Sequence, residues 1–80
     1  MATSVVSTAR RFSGHRLREA RLAAELSPER LALQVERSVY SIHEYERGRV
    51  IPPIHVITRL AASVGCSLED LLTEEVSDAA

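Results

Sequence analysis

The chain has no lysine, no tryptophan, a single cysteine and only three aromatic residues, two tyrosines and a phenylalanine, among its 80 positions. One cysteine forms no internal disulfide, and without a CxxC or Cys/His cluster there is no zinc site to expect, so a reducing, cytoplasmic setting fits best. His15, His43 and His55 are too scattered along the chain to ligate a metal together. No serine, histidine and aspartate fall in an arrangement like a nucleophile with its base, so catalytic residues, enzyme activity and cofactors are not expected. No apolar run approaches the roughly 18 residues that would span a bilayer. The opening "MATSVVSTARRF" has no hydrophobic h-region and does not read as a secretory signal. With so few aromatics the core must be aliphatic, and at this length there is room for one core only.

Charge is present in ordinary amount but unevenly placed. The net charge of −1 argues at first against a nucleic-acid partner. Along the chain, however, residues 1–26 carry five arginines against two acids, residues 27–49 four against four, and residues 50–80 one against five. A basic first third thus precedes an acidic end. All ten cationic residues are arginine. That usage suits phosphate and guanine recognition, although genome composition explains it at least as well.

Hydrophobic periodicity predicts helices and no strand. Residues 1–12 lack periodicity and read as a flexible N-terminal arm. From Ser13, "SGHRLREARLAAE" places Leu17, Ala20 and Ala24 at helical spacing, with Arg16, Arg18 and Glu19 outside, and Leu26 follows as a connector. "SPERLALQV" opens with Ser27 as N-cap and Pro28 in the first helical position, and buries Leu31, Ala32 and Val35. After a break at Glu36-Arg37, Ser38 caps "VYSIHEYERG", where Ile42 and Tyr45 point inward and Gly48 sits just past the helix end. "RVIPP" is extended, because a residue before proline avoids the helical region. A fourth helix starts near Pro53, with Ile54, Ile57, Leu60, Ala61 and Val64 as its stripe and Gly65 at its close. Ser67 and Asp70 resemble a capping box for a short fifth helix that buries Leu68, Leu71 and Leu72. Residues 73–80 read as a flexible tail.

One residue is out of place on electrostatic grounds. Glu46 stands in the last turn of the third helix, where the macrodipole disfavours negative charge, so a specific partner must hold it. Two short helices joined by a break of three or four residues, the second ending in glycine, have the spacing of a helix-turn-helix. Ala32 is small where the two helices would cross, and Ile42 lies where a recognition helix must be pinned.

"LREARLAAELSPERLA", "SIHEYERGRVIPP" and "LAASVGCSLEDLL" together resemble the Cro and phage-repressor type of helix-turn-helix domain, the xenobiotic-response-element (XRE) family. The resemblance runs over residues 13–72 in order and without gaps. It rests on Leu17, Arg18, Arg21, Leu31, Ala32, Ile42, Tyr45, Glu46, Gly48, Pro52, Leu60, Ala61, Val64, Gly65, Cys66, Ser67, Leu71 and Leu72. It implies an all-α, five-helix, lambda-repressor-like DNA-binding domain at 13–72. It also implies an ion pair between Arg21 and Glu46, which accounts for the misplaced glutamate: a guanidinium forks onto a carboxylate bidentately and fixes the third helix to the scaffold.

The chain departs from the family in instructive places. Pro28 replaces the usual glutamine at the start of the second helix, and Glu36 stands where the turn usually has glycine, at a cost on the order of 1 kcal/mol in a left-handed conformation. The exposed recognition positions are Val39, Tyr40, Ser41, His43 and Glu44, which makes them the expected base-contacting set. Val39 suits a thymine methyl, Ser41 a base or a phosphate, and Glu44 a cytosine amino group; no arginine or lysine is available there for guanine. Arg47, Arg49 and Ser38 lead the expected phosphate contacts, followed by Arg16 and Arg18, with Arg10 and Arg11 trailing into a groove on the arm. Tyr40 fits a base or sugar contact and also the centre of a protein interface, where tyrosine is enriched.

Two functional readings follow. The first is a sequence-specific transcriptional regulator of bacterial or phage type, associated with the nucleoid in the cytoplasm and binding double-stranded DNA as a homodimer on an inverted repeat. The second is a protein-interaction module on the same scaffold, an antitoxin or regulator partner anchored by Tyr40 and Val39.

Overall fold

The computed structural model describes residues 8–76, with side chains over 10–73. The outermost parts of the expected arm and tail, 1–7 and 77–80, lie outside the described residues. The element order is β1 (Thr8–Phe12), α1 (Gly14–Ala23), α2 (Pro28–Val35), α3 (Val39–Glu46), α4 (Ile54–Val64), a 3-10 turn (Leu68–Leu71) and β2 (Leu72–Val76).

Serine caps set the starts of the helical elements. Ser13, Ser27 and Ser38 each accept from the amide three residues on (Arg16, 3.1 Å; Arg30, 3.0 Å; Ser41, 3.0 Å). Each hydroxyl satisfies a donor that the helix cannot satisfy itself. Ser67 and Asp70 form the expected capping box, although the element they open is one 3-10 turn and not a fifth α-helix.

The ends follow one rule as well. The amides of Leu26, Arg37, Arg49 and Cys66 reach back to the carbonyls of Arg21, Ala32, Glu44 and Ala61 at 2.9–3.1 Å. Each is the six-to-one bond of a Schellman end, and each needs a left-handed residue just before the donor. Gly48 and Gly65 supply it for α3 and α4, at φ of 76° and 78°. For α1 and α2 it is a glutamate, Glu25 and Glu36, both at φ 59°. The strained position expected at Glu36 thus has a second example at Glu25.

The core is aliphatic. Leu17, Leu31, Val35, Ile42, Val56, Leu60 and Leu71 are fully buried, joined by Ala32, Tyr45, Ile57, Ala61 and Val64. Each large side chain among them contributes roughly 1.5–3 kcal/mol by leaving water. Four inward positions differ from the sequence reading, two of them, Leu68 and Leu72, being only half-buried. Ile54 is 63% exposed, and Val56 takes its place in the stripe of α4. On α1, Ala24 is exposed and Arg21 is buried instead.

The main correction is at the termini. Residues 8–12, expected as arm, and 72–76, expected as helix end and tail, pair as a two-stranded antiparallel ribbon that accompanies the expected helical domain. The register sets Arg10 opposite Glu74, Arg11 opposite Thr73 and Phe12 opposite Leu72. The segregated charge of the sequence therefore places a basic strand beside an acidic one. The Ser13 amide donates to the Leu71 carbonyl at 2.8 Å, joining the base of the ribbon to the helical body. Phe12, half-buried, packs against the core there.

Candidate nucleic-acid interface

The interface is built around α3 and the contact that fixes it. α1 and α3 cross at Gly14, where an added Cβ would clash with the Tyr45 carbonyl and lie 2.7 Å from that of Glu46. Only a residue without a side chain lets the two backbones approach so closely. A glycine immediately after a serine N-cap was the available sequence signal, and periodicity alone passes over it.

Arg21 and Glu46 lie beside that crossing. Arg21 Nε donates to Glu46 Oε2 at 2.6 Å and Nη2 to Oε1 at 3.2 Å, with both side chains more than nine-tenths buried. Arg21 Nη1 also donates to the Leu26 carbonyl at 2.8 Å. One guanidinium thus ties together the end of α3, the body of α1 and the connector to α2. The fork geometry and the loss of competing water explain why a carboxylate is held at a helix C-terminus against the dipole. Among the described residues no buried side-chain polar atom lacks a partner.

The expected base-contacting residues separate into different environments. Tyr40, one residue into α3, is 72% exposed. Val39 is half-buried and packs against the core. Ser41 is half-buried, its amide and hydroxyl both joined to the Ser38 hydroxyl (3.0 and 3.1 Å). His43 is half-buried and faces a cleft shared with α1.

Glu44 requires correction, because it is 7% exposed and not a free recognition residue. The chain after α3 turns back over it, with the Arg49 and Val50 amides donating to its carbonyl at 3.0 and 3.4 Å. Its Oε2 lies 3.8 Å from Arg47 Nη1 and 3.9 Å from Arg49 Nη1. The expected partner of a cytosine amino group is instead the shared counter-charge of two expected phosphate ligands.

The expected phosphate-contacting cations come from three elements. Arg47 and Arg49 are exposed at the end of α3, and Arg18 is exposed on α1. Arg16 lies on the side of α1 that faces the Ser67–Asp70 cap, where its charge helps lower the Asp70 pKa after the Ser67 hydrogen bonds. Arg10 and Arg11 belong to β1. Cys66 packs against the core, and burial, with Asp70 nearby, pushes its thiol pKa up and leaves it a poor nucleophile. Among the described residues no cluster of metal-ligating side chains occurs, and no helix is long and apolar enough to cross a membrane.

Comparison with known proteins agrees with this geometry. The family described as "Helix-turn-helix domain" matches residues 14–74. No curated protein matches the chain. Among solved structures, the restriction-modification controller protein C.AhdI from Aeromonas hydrophila is 33% identical, with a TM-score of 0.69 over 72% of this chain and 84% of that one. The clp gene regulator ClgR from Corynebacterium glutamicum is 26% identical, with a TM-score of 0.70 over 72% of this chain. The match spans 62% of the ClgR chain, so ClgR extends well beyond the shared domain. A hypothetical transcription factor, NHTF, from Neisseria is 27% identical, with a TM-score of 0.69 over 75% of this chain and 69% of that one. The chain belongs to the helix-turn-helix domain family and has the fold of DNA-binding transcription regulators of the Cro and XRE type.

Proposed function

We propose that this protein is a sequence-specific regulator of transcription of bacterial or phage type, acting in the cytoplasm as a homodimer on an inverted repeat. The observation that carries the reading is the presentation of α3. Tyr40 in its first turn is exposed, while Val39, Ile42, Tyr45 and the Arg21–Glu46 pair hold its inner face. In that arrangement Tyr40 leads the base contacts, with Ser41 and the edge of Val39 behind it. Ser38, Arg47 and Arg49 serve the phosphates, and Arg16 and Arg18 flank them. A single module of this size contacts too few bases for tight selective binding, which is the argument for a dimer.

Selection of bound duplexes from random oligonucleotides should return two half-sites about one helical turn apart, roughly 10 base pairs centre to centre. On that site Tyr40→Ala should cost about 1–3 kcal/mol and leave binding to random DNA nearly intact. The exposed tyrosine also favours a second reading, a protein-interaction module anchored by Tyr40 and Val39. If Tyr40→Ala leaves DNA binding untouched and abolishes co-purification of a protein partner, this second reading replaces the first.

A further inference from the structure

Six large apolar side chains are exposed among the described residues, and half of them crowd into five consecutive positions. Val50, Ile51 and Ile54, at 45%, 61% and 63% exposure, occupy the connector after α3 and the first residue of α4. Leu22 and Leu33 stand singly on other helices, which is ordinary for a protein surface.

The patch is firmly held. Pro52 is buried and Pro53 caps α4, so two fixed φ angles stiffen the connector. The Val50 amide donates to the Glu44 carbonyl at 3.4 Å, which lays the connector against the C-terminal half of α3. Along α4, Thr58 and Ala62 follow Ile54 at i+4 and i+8, both exposed. The Thr58 hydroxyl donates to the Ile54 carbonyl at 3.0 Å, so a partner can cover this stripe without stranding a donor.

Charge and size limit what fits there. No acidic residue occurs from 47 to 65, so a cationic partner finds no counter-charge, whereas an apolar face meets its own copy without mismatch. The three side chains offer on the order of 300 Å² of apolar surface. A stable interface takes about 800 Å² from each partner. Two copies meeting here also bring their exposed Arg49 side chains toward each other, which weakens the contact further.

We propose that this patch is the contact between two copies of the chain, and that they join on DNA and not before it. The proposal rests on the DNA-reading function above, whose dimer it places and times. DNA supplies what the patch lacks. It holds two copies side by side at high effective concentration, and its phosphates neutralise the facing arginines. The position fits as well. The layer of chain beside α3 lies roughly 8–10 Å from the helix axis, and its outer surface about 5 Å further. Two copies meeting at that surface hold their α3 helices roughly 30 Å apart, near the spacing of half-sites one DNA turn apart.

The test uses the full chain and its Ile51→Ser, Ile54→Ser and double variants, each checked for an unchanged melting temperature. Sedimentation at micromolar concentration should show a monomer. On a duplex carrying both half-sites, the second copy should bind about 5–150-fold more tightly than the first. The double variant should keep the parent's affinity for a lone half-site and lose that enhancement. Cooperativity unchanged in the double variant puts the contact elsewhere, and a dimer already formed in solution contradicts assembly on DNA; either overturns the proposal. So does a double variant that sheds a different bound protein while its cooperativity stays intact. Independent binding of two parent copies, with Tyr40-dependent specificity retained, would overturn the proposal and leave the DNA-reading function standing. A chain without sequence preference, whose Val50, Ile51 and Ile54 amide NMR shifts move with protein concentration, would keep the copy-to-copy contact. It would overturn DNA reading and, with it, assembly on DNA.

Discussion

The two ends of α3 are built on opposite principles. At the C-terminal end, Glu46 is bound on both oxygens, Gly14 admits the backbone of α1 against the last turn, and Gly48 reverses the chain. At the N-terminal end, one serine hydroxyl holds the cap and Tyr40 projects into solvent. Six positions along the helix separate the buried anchor Glu46 from the exposed Tyr40. A helix presented to a partner has to be held somewhere other than where it makes contact, and here the ion pair and the close backbone approach both fall at the far end.

The contrast is broken most severely at the anchor. Glu46→Ala leaves the Arg21 guanidinium buried without its counter-charge and should lower stability by about 3–5 kcal/mol, measured by denaturant unfolding. Arg21→Ala should fall in the same range, and two variants that both melt like the parent would dismiss the anchor. Gly14→Ala comes next. The new methyl meets backbone carbonyls that cannot rotate away, so about 1–3 kcal/mol should be lost as α1 and α3 separate. Gly48→Ala provides the internal comparison, because nothing lies within 4 Å of the added carbon and only the left-handed backbone resists, at about 1 kcal/mol. At the presenting end, Ser38→Ala should cost about 1 kcal/mol through the lost cap. Hydrogen exchange should then rise in the first turn of α3 and stay unchanged at its last turn; uniform exchange along α3 would contradict the division.

The smallest effect belongs to an exposed cap outside α3. Hydrogen bonds from Ser67, aided by the charge of Arg16, hold the Asp70 carboxyl below the usual carboxylate range. A pKa lowered by folding means that the unfolded chain binds more protons in that window. The contribution of this cap is therefore complete above the ordinary aspartate value and is lost as pH falls through the lowered one. Asp70→Asn should flatten the acid limb of the stability profile slightly, and an unchanged limb would remove the cap from the account.

Much of this was legible from the sequence because caps and stripes are local. The serine caps at 27, 38 and 67, the inward residues Ile42 and Tyr45, and the need for a partner at Glu46 all follow from neighbours a few positions apart. What escaped depended on distant or returning chain. Glu44 looks exposed by helical phase, but residues 47–50 fold back over it, a path set by Gly48 and not by the helix. Ile54 fits the apolar stripe by spacing, yet as the first residue of α4 it points past the edge of the core. The ribbon escaped because "TARRF" and "LTEEV" have no alternation of their own, and two strands this short gain their order from each other and from the body beneath. The opposite charge of the two chain ends was the trace they left.

That ribbon also determines how the domain responds to load. Thr8 lies opposite Val76, so the described chain enters and leaves the helical body side by side. Tension applied across these two points runs across the strands, along the inter-strand bonds, and reaches them one pair at a time from the open end. The ribbon therefore unzips before force arrives at Ser13 and Leu71, and the helical body is shielded by a fuse that can re-form when the pull is released.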